Sequence, residues 1–301
     1  MSLSGRGVAL SVGASMLFAL MPGYVTWLKP LGGMDVFAWR VLWSLPMVLL
    51  LVWFTGQGDK LRAALRRVRD EPLMRLAWPL AAALIGVQWW LFLWAPLAGH
   101  MLEVSMGYFL LPLAMVLAGR LVYGERLNRL QRLAVVCALA GVAHELWRTQ
   151  AFSWLTLVTA LGYPPYFILR RWMRLESLPG FTLELMLLAP VAAVLIWLYG
   201  DMTAFTVNAS LWWLVPSMAL LGTVAFVALM ASSYLLPIGL FGILSYVEPV
   251  LLFVVALWVL GESFEASQWL TYAPIWAAVL LVAFDSARIL HKQQRQARAG
   301  S

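Results

Sequence analysis

Apolar positions fill this chain in ten long runs, separated by short polar punctuation. The runs cover about 7–28, 34–55, 73–95, 101–122, 128–147, 151–171, 180–199, 210–234, 238–260 and 267–289. A membrane-spanning helix needs roughly 17–25 mostly apolar residues, and each run supplies that length. The sixth is the weakest, because Pro164-Pro165 withholds two backbone N–H groups inside it and leaves carbonyls that neighbours must satisfy.

The punctuation carries the orientation. With the first residues placed in the cytoplasm, eighteen of the 21 Lys and Arg fall on the cytoplasmic face. Only Lys29 and Arg148 fall outside, and Arg40 lies within the second run. Positive loops stay inside, so ten helices with both termini cytoplasmic account for the split. A bacterial inner membrane is the expected location.

Composition agrees. Of 301 residues 63% are hydrophobic and 12% charged, against about 25% charged in soluble domains. Apolar runs continue to about residue 290, so the first reads as a span and not as a cleaved signal peptide. The formal charge of +7 sits in the loop clusters, which is a topology signal and argues against nucleic acid as a partner. Cys137 is the lone cysteine, which rules out an intramolecular disulfide or a CxxC site. No GxxxxGK[ST], HExxH or GxSxG pattern occurs, so nothing points to an enzyme, a metal or a cofactor.

A repeat divides the chain. Tyr108-x3-Pro112-x11-Gly124-Glu125-x5-Gln131 recurs as Ser245-x3-Pro249-x11-Gly261-Glu262-x5-Gln268, at a constant offset of 137 residues. With five helices in each half, the second enters the membrane inverted relative to the first. The expected organisation is a five-helix repeat over 1–147, its inverted partner over 148–290 and a basic cytoplasmic tail over 291–301. Such inverted repeats enclose a central cavity near the midplane in many secondary transporters.

The stretches "RVLWS" at 40–44, "WLFLWA" at 90–95, "HMLEVSMGYFLLP" at 100–112, "YGERLNRLQ" at 123–131 and "ELMLLAPVA" at 184–192 resemble the drug/metabolite transporter superfamily, EamA type, in its RarD branch. The resemblance implies an all-α integral membrane protein of ten helices in two inverted EamA repeats, transporting small metabolites or drugs without an ATPase. The chain departs from that branch at Leu111 and Gln88, where Asn is expected, and at Pro96 and Pro164-Pro165.

Candidate chemistry follows from polar groups that interrupt the runs, since an ionisable side chain at mid-membrane costs about 2.5–3.5 kcal/mol on insertion scales. Arg40 lies roughly 10 Å below the outer end of the second helix at 1.5 Å per residue. There its guanidinium fork suits a substrate carboxylate, or else a structural ion pair. Trp43, one turn further on, is placed to stack on it or on a ligand. Glu248, beside Pro249 in the ninth helix, is the deepest carboxylate on this count and suits proton exchange or an ammonium contact. Pairing with Arg40 is its structural alternative.

Glu103 stands in the outer first turn of the fourth helix. It reads either as a helix-start anion, favoured by the helix dipole, or as an outer gate and second proton-coupling candidate. Gln88 and Trp89, followed by Trp90, place an amide and two indoles near the bilayer centre. Tyr108 and Tyr246 fall at similar depths of the two repeats. Glu125 and Glu262 read as parts of the Gly-Glu turns. Glu184 and Asp285 read as interfacial charges facing Arg170, Arg171, Arg174 or Arg288, and His144 and Glu145 as solvated.

The expected function is a secondary permease for a small organic solute, working by alternating access. A cation with internal carboxylates suits an amino acid or similar zwitterion, with proton coupling the simplest energy source. A permease for chloramphenicol-like drugs is the nearest alternative, and a non-transporting receptor or lipid-handling protein the more distant one. The expected partners are that solute and the lipid bilayer, with the protein acting as a monomer or homodimer.

Overall fold

The computed structural model describes residues 4–95, 98–150, 152–251 and 266–299. Pro96 and the Gly261-Glu262 turn lie outside them. Among the described residues the regular structure is helical, without a strand. Seven helices are long and apolar enough to cross a membrane: Gly5–Leu28, Gly33–Phe54, Pro72–Trp94, Leu102–Tyr123, Ser177–Tyr199, Leu211–Leu235 and Trp269–Ile289. The fifth and sixth expected spans are the helices Arg129–Thr149 and Trp154–Met173, of 21 and 20 residues. Charged residues at their ends lower their hydropathy. Pro164-Pro165 does not break the second of these.

In chain order the helices are α1 (Gly5–Val25), α2 (Gly33–Phe54), α3 (Gly58–Asp70), α4 (Pro72–Trp94), α5 (Met101–Tyr123) and α6 (Arg129–Thr149). Then come α7 (Trp154–Met173), α8 (Ser177–Tyr199), α9 (Ala204–Val207), α10 (Leu211–Leu235), α11 (Ile238–Leu244) and α12 (Trp269–Ala299). α3 is not among the ten expected helices. It is a 13-residue amphipathic helix between two spans, burying Ala64 and Val68 one turn apart and packing on α4 and α8. The segment read as a tail from 291 continues α12 as helix to Ala299. Aromatic residues near helix ends, such as Trp53, Phe54, Trp147, Trp197 and Tyr199, are exposed, as at a membrane–water interface.

The ninth expected helix is discontinuous. α11 ends at Leu244, Ser245 and Tyr246 form a turn, and helix resumes from Val247 through at least Leu251. Pro249 has no N–H for the Ser245 carbonyl four residues back, and the chain tightens into shorter bonds, Tyr246 N–H to Ile243 O at 3.1 Å and Glu248 N–H to Ser245 O at 3.3 Å.

The start of α11 is held by Glu125, whose two carboxylate oxygens accept from the Ile238 and Gly239 N–H groups, each at 2.7 Å. Gly119 leaves room, since a Cβ there would lie 2.6 Å from Glu125 Oε2. The Gly-Glu turn is therefore structural, as expected, but it caps a helix more than a hundred residues away.

Two compact units emerge, each assembled from separated stretches: 20–104 with 165–228, and 1–19 with 105–164 and 229–301. In the first, α2 packs along α8 and both pack on α4; in the second, α6 packs along α12. Close backbone approach has glycine causes. At Gly33 of α2 a Cβ would lie 2.8 Å from the Leu93 carbonyl of α4, and at Gly141 of α6 it would meet the Thr271 carbonyl of α12 at 2.5 Å. α12 is further tied by Asp285, which accepts from Asn128 at 2.7 Å and Gln131 at 3.0 Å, the two residues of the α6 capping box.

Candidate functional site

The unit built from 20–104 and 165–228 holds five of the expected site residues. Arg40 on α2 is 2% exposed, and its guanidinium carbon lies 4.6 Å from the centroid of the Trp89 ring on α4. Gly222 of α10 makes space for it: a Cβ there would come within 3.0 Å of Nη2 and 2.7 Å of Met21 Cε. The residue stacked on Arg40 is thus Trp89, while Trp43, expected in that role from helical spacing, is half-buried. Gln88 is enclosed beside Trp89, at 1% exposure.

Behind Trp89 the rings form a column. Its edge meets Phe181 at 5.6 Å and Phe226 at 5.0 Å, and these two lie 4.7 Å apart. Phe226 in turn contacts Tyr166 of α7 at 6.3 Å. At the foot of the column stands a group the sequence reading placed at the interface. Tyr166 donates its hydroxyl to Glu184 Oε2 at 2.9 Å, and Arg170 Nε approaches Glu184 Oε1 at 3.3 Å. Both charged side chains are 1% exposed, so Glu184 is a core carboxylate and not an interfacial one.

The site is built by packing that spacing alone does not reveal. Tyr166 and Arg170 are one helical turn apart, which puts both on one stripe of α7. Gly180 of α8 opens the space for the guanidinium, because a Cβ there would overlap Nη1 and lie 2.5 Å from Cζ. Arg170 also donates to the Ser177 carbonyl at 3.2 Å, and Trp78 of α4 donates its indole N–H to the Leu183 carbonyl at 2.7 Å. The facing of Glu184 by Arg170 was among the pairings expected from the sequence, but at the membrane interface and not in a buried site with Tyr166.

At the start of α5, Glu103 is partly exposed and lies 3.1 Å from His100 Nδ1. The imidazole stacks on Trp94, and Trp94 on Trp90, at centroid distances of 5.5 and 5.0 Å. This is a short ring ladder along the end of α4, closed by a carboxylate.

The other unit holds Tyr108, Tyr246 and Glu248. Tyr108 is half-buried with its ring 6.2 Å from Tyr163, and Gly107 beside it packs against Thr159 and the Thr156 carbonyl. Tyr246 is fully buried, with its hydroxyl donated to the Phe109 carbonyl at 2.9 Å. Glu248, just past the break in the helix, is half-buried, and its carboxylate forms no hydrogen bond or ion pair among the described residues. By burial the order of the acids changes: Glu184, Glu145 and Asp285 are enclosed and Glu248 is less so. Glu145, expected in solvent, is paired with Arg148 at 2.6 Å and accepts from Thr271 at 2.6 Å, while His144 meets the same hydroxyl at 2.9 Å.

Residues 5–144 match the model of the EamA-like transporter family. The chain is 59% identical over 297 residues to the chloramphenicol-sensitive protein RarD of Pseudomonas aeruginosa, covering 98% of this chain and 99% of that one. It is 35% identical over 296 residues to an uncharacterized transporter of Haemophilus influenzae, with 98% of each covered. Protein RarD of Escherichia coli is 29% identical over 296 residues, covering 97% of this chain and 98% of that one. A solved crystal structure superposes with a TM-score of 0.69 at 17% identity, covering 94% of this chain and 98% of its own, a likeness of fold. A membrane-embedded helical chain, a match to the family model and near-full-length relatives that include two RarD proteins converge: the chain belongs to the EamA-like transporter family, in its RarD branch.

Proposed function

We propose that this transporter moves a small amino-acid-like zwitterion by alternating access, and that Arg40 on the Trp89 face is where the substrate carboxylate is held. The observation that carries the reading is a guanidinium 2% exposed in a membrane span yet laid on an indole. A desolvated fork of N–H donors backed by an aromatic face recognises a planar anion, and the rings beside it accept an apolar side chain or an ammonium. Gln88 supplies an amide next to it. Both termini lie in the cytoplasm of a bacterial inner membrane on this reading.

The halves 1–147 and 148–290 are the inverted repeats. Support comes from the Tyr246–Phe109 hydrogen bond, whose partners are 137 residues apart, the same offset that relates the two sequence motifs. Equivalent positions of two copies meet where a pseudo-two-fold axis passes. A proton gradient is the energy source, with Glu248 beside the helix break as one carrier and Glu103 at the outer end of α5 as a gate.

The test is counterflow of L-phenylalanine in proteoliposomes, with Arg40→Ala against the wild type and a thermal-shift titration of each. Loss of both exchange and ligand-induced stabilisation is expected in Arg40→Ala; unchanged exchange removes the clamp. Chloramphenicol in the same titration examines the second reading, which the name of the 59% identical relative favours. Stabilisation by the drug that survives Arg40→Ala would select it.

A further inference from the structure

Beyond the substrate clamp, we infer that Glu184 is a proton-binding site of the transport cycle, coupled to Arg40 through the Trp89, Phe226 and Tyr166 rings. This rests on the proton-driven reading above and adds an acid that the sequence pattern assigns to the membrane interface.

A permanent structural ion pair in a membrane core gains from excellent geometry on both oxygens, because desolvation otherwise exceeds the attraction. Glu184 has good geometry on one side only. Oε2 accepts the Tyr166 hydroxyl at 2.9 Å, whereas Oε1 is buried and accepts no hydrogen bond, with Arg170 Nε facing it at 3.3 Å outside bonding geometry. That oxygen has a lone pair ready for a proton.

The surroundings restrict what else acts on the carboxyl. From α7, Arg170 is the charge and Tyr166 the hydrogen-bond donor that act on it. Besides α7, α8 is packed by α2, α3 and α4, and by α10, which carries no charged residue, through Phe226 on Phe181. α4 carries Arg75, which is exposed, and α2 carries Asp35 and Arg40 in its first turns. α3 carries Lys60 and Arg67, held by Glu176 and Glu71, and the exposed Asp59, Arg62, Arg66, Arg69 and Asp70. Among the described residues, the Arg170 guanidinium and the Tyr166 hydroxyl are the groups that meet the Glu184 carboxylate.

The step is a simple protonation. A proton from the acidic compartment adds to Oε1, and the carboxylate becomes a carboxylic acid. The Tyr166 hydrogen bond to Oε2 survives, but the attraction between the carboxylate and the Arg170 guanidinium is gone, and the buried cation loses the Glu184 counter-charge that faced it at 3.3 Å. That arrangement is costly, so the protonated site favours a different placing of α7 against α8. Tyr166 is the link: its ring touches Phe226, which touches Trp89, which carries Arg40 on its face. Release of the proton from the acid on the other side restores the ion pair and resets the column.

The experiment uses the full-length protein in proteoliposomes and reads three things for wild type, Glu184→Gln and Tyr166→Phe. Infrared difference spectra across a pH titration are expected to show a carboxylic-acid carbonyl band that Glu184→Gln lacks and Tyr166→Phe shifts. L-Phenylalanine uptake driven by a pH gradient is expected to be lost in Glu184→Gln while gradient-free counterflow persists. Because Glu184→Gln strands Arg170 and can unfold the chain, Arg170→Met/Glu184→Gln is made alongside and is expected to behave in the same way. An unchanged titrating band, or unchanged gradient-driven uptake, in whichever variant folds would overturn the proton site. Failure of wild-type counterflow would instead overturn the substrate reading, and the infrared arm judges Glu184 without any substrate.

Discussion

Gly180→Ala separates intrinsic helix preference from packing, because the two predict opposite signs. Alanine is favoured over glycine in a helix interior by about 0.8–1.0 kcal/mol, so local preference makes the variant neutral or more stable. The structure makes it much less stable. The new methyl would overlap Arg170 Nη1 and lie 2.5 Å from Cζ and 2.6 Å from Nη2, and the guanidinium is enclosed on all sides. Overpacking costs typically about 1–3 kcal/mol, and separating a buried ion pair about 3–5 kcal/mol. These do not add, since moving Arg170 relieves the overlap while stranding Glu184, and a net loss of about 3 kcal/mol is expected.

The assay is unfolding of the purified protein in mixed micelles, followed by tryptophan fluorescence. Gly13→Ala is the internal control: nothing lies within 4 Å of a Cβ there, so it should range from unchanged to about 1 kcal/mol more stable. Adding Glu184→Gln to Gly180→Ala should recover part of the loss, since the two changes act on one interaction. A Gly180→Ala protein as stable as wild type would show that Arg170 has a second resting place at no cost and that its seat against Gly180 is not closely packed.

Three smaller tests follow. Glu125→Ala removes an acceptor from two helix-start N–H groups at 2.7 Å and should cost about 1–2 kcal/mol, with faster hydrogen exchange at Ile238 and Gly239 as the direct readout. Tyr246→Phe should cost about 1 kcal/mol, the worth of one buried hydrogen bond, and leave counterflow intact because its hydroxyl is engaged by Phe109; lost exchange at full stability would return Tyr246 to the substrate site. The Arg67 guanidinium holds the Glu71 carboxyl below its ordinary value of 4.5. The linkage sign is that of a depressed acid: the contribution is present above pH 4.5, lost as pH falls through the lower folded value, and absent at every pH in Glu71→Gln, as stability measured from pH 7 down to strong acid will report.

What the sequence made legible has a physical pattern. Spans were readable because bilayer thickness sets their length, and Arg40 because a cation in an apolar run has no bland neighbour to hide among. The break at Ser245–Tyr246 was foreshadowed by Pro249, one turn later. α3 was readable in principle, since Leu61, Ala64, Leu65 and Val68 follow a helical stripe, but its five basic residues resemble a charged loop. Contacts between helices were not readable. Spacing within α2 pointed to Trp43 as the partner of Arg40, whereas the partner is Trp89 of α4. Glu184 stood in the run "FTLELMLL" near a helix end, and only the packing of α7 on α8 turns it inward.

Each of the two compact units joins early stretches of chain to late ones, and this has a consequence for synthesis. Arg40 and Trp89 leave the ribosome long before Phe181, Gly222 and Phe226, which complete their surroundings. Likewise the capping box at Asn128 and Gln131 waits for Asp285. For most of translation the nascent chain therefore holds membrane-inserted helices whose guanidinium, amide and carboxyl groups have no native shelter. Such half-made chains expose polar surface to lipid, and they are the species on which an insertase or membrane chaperone would act.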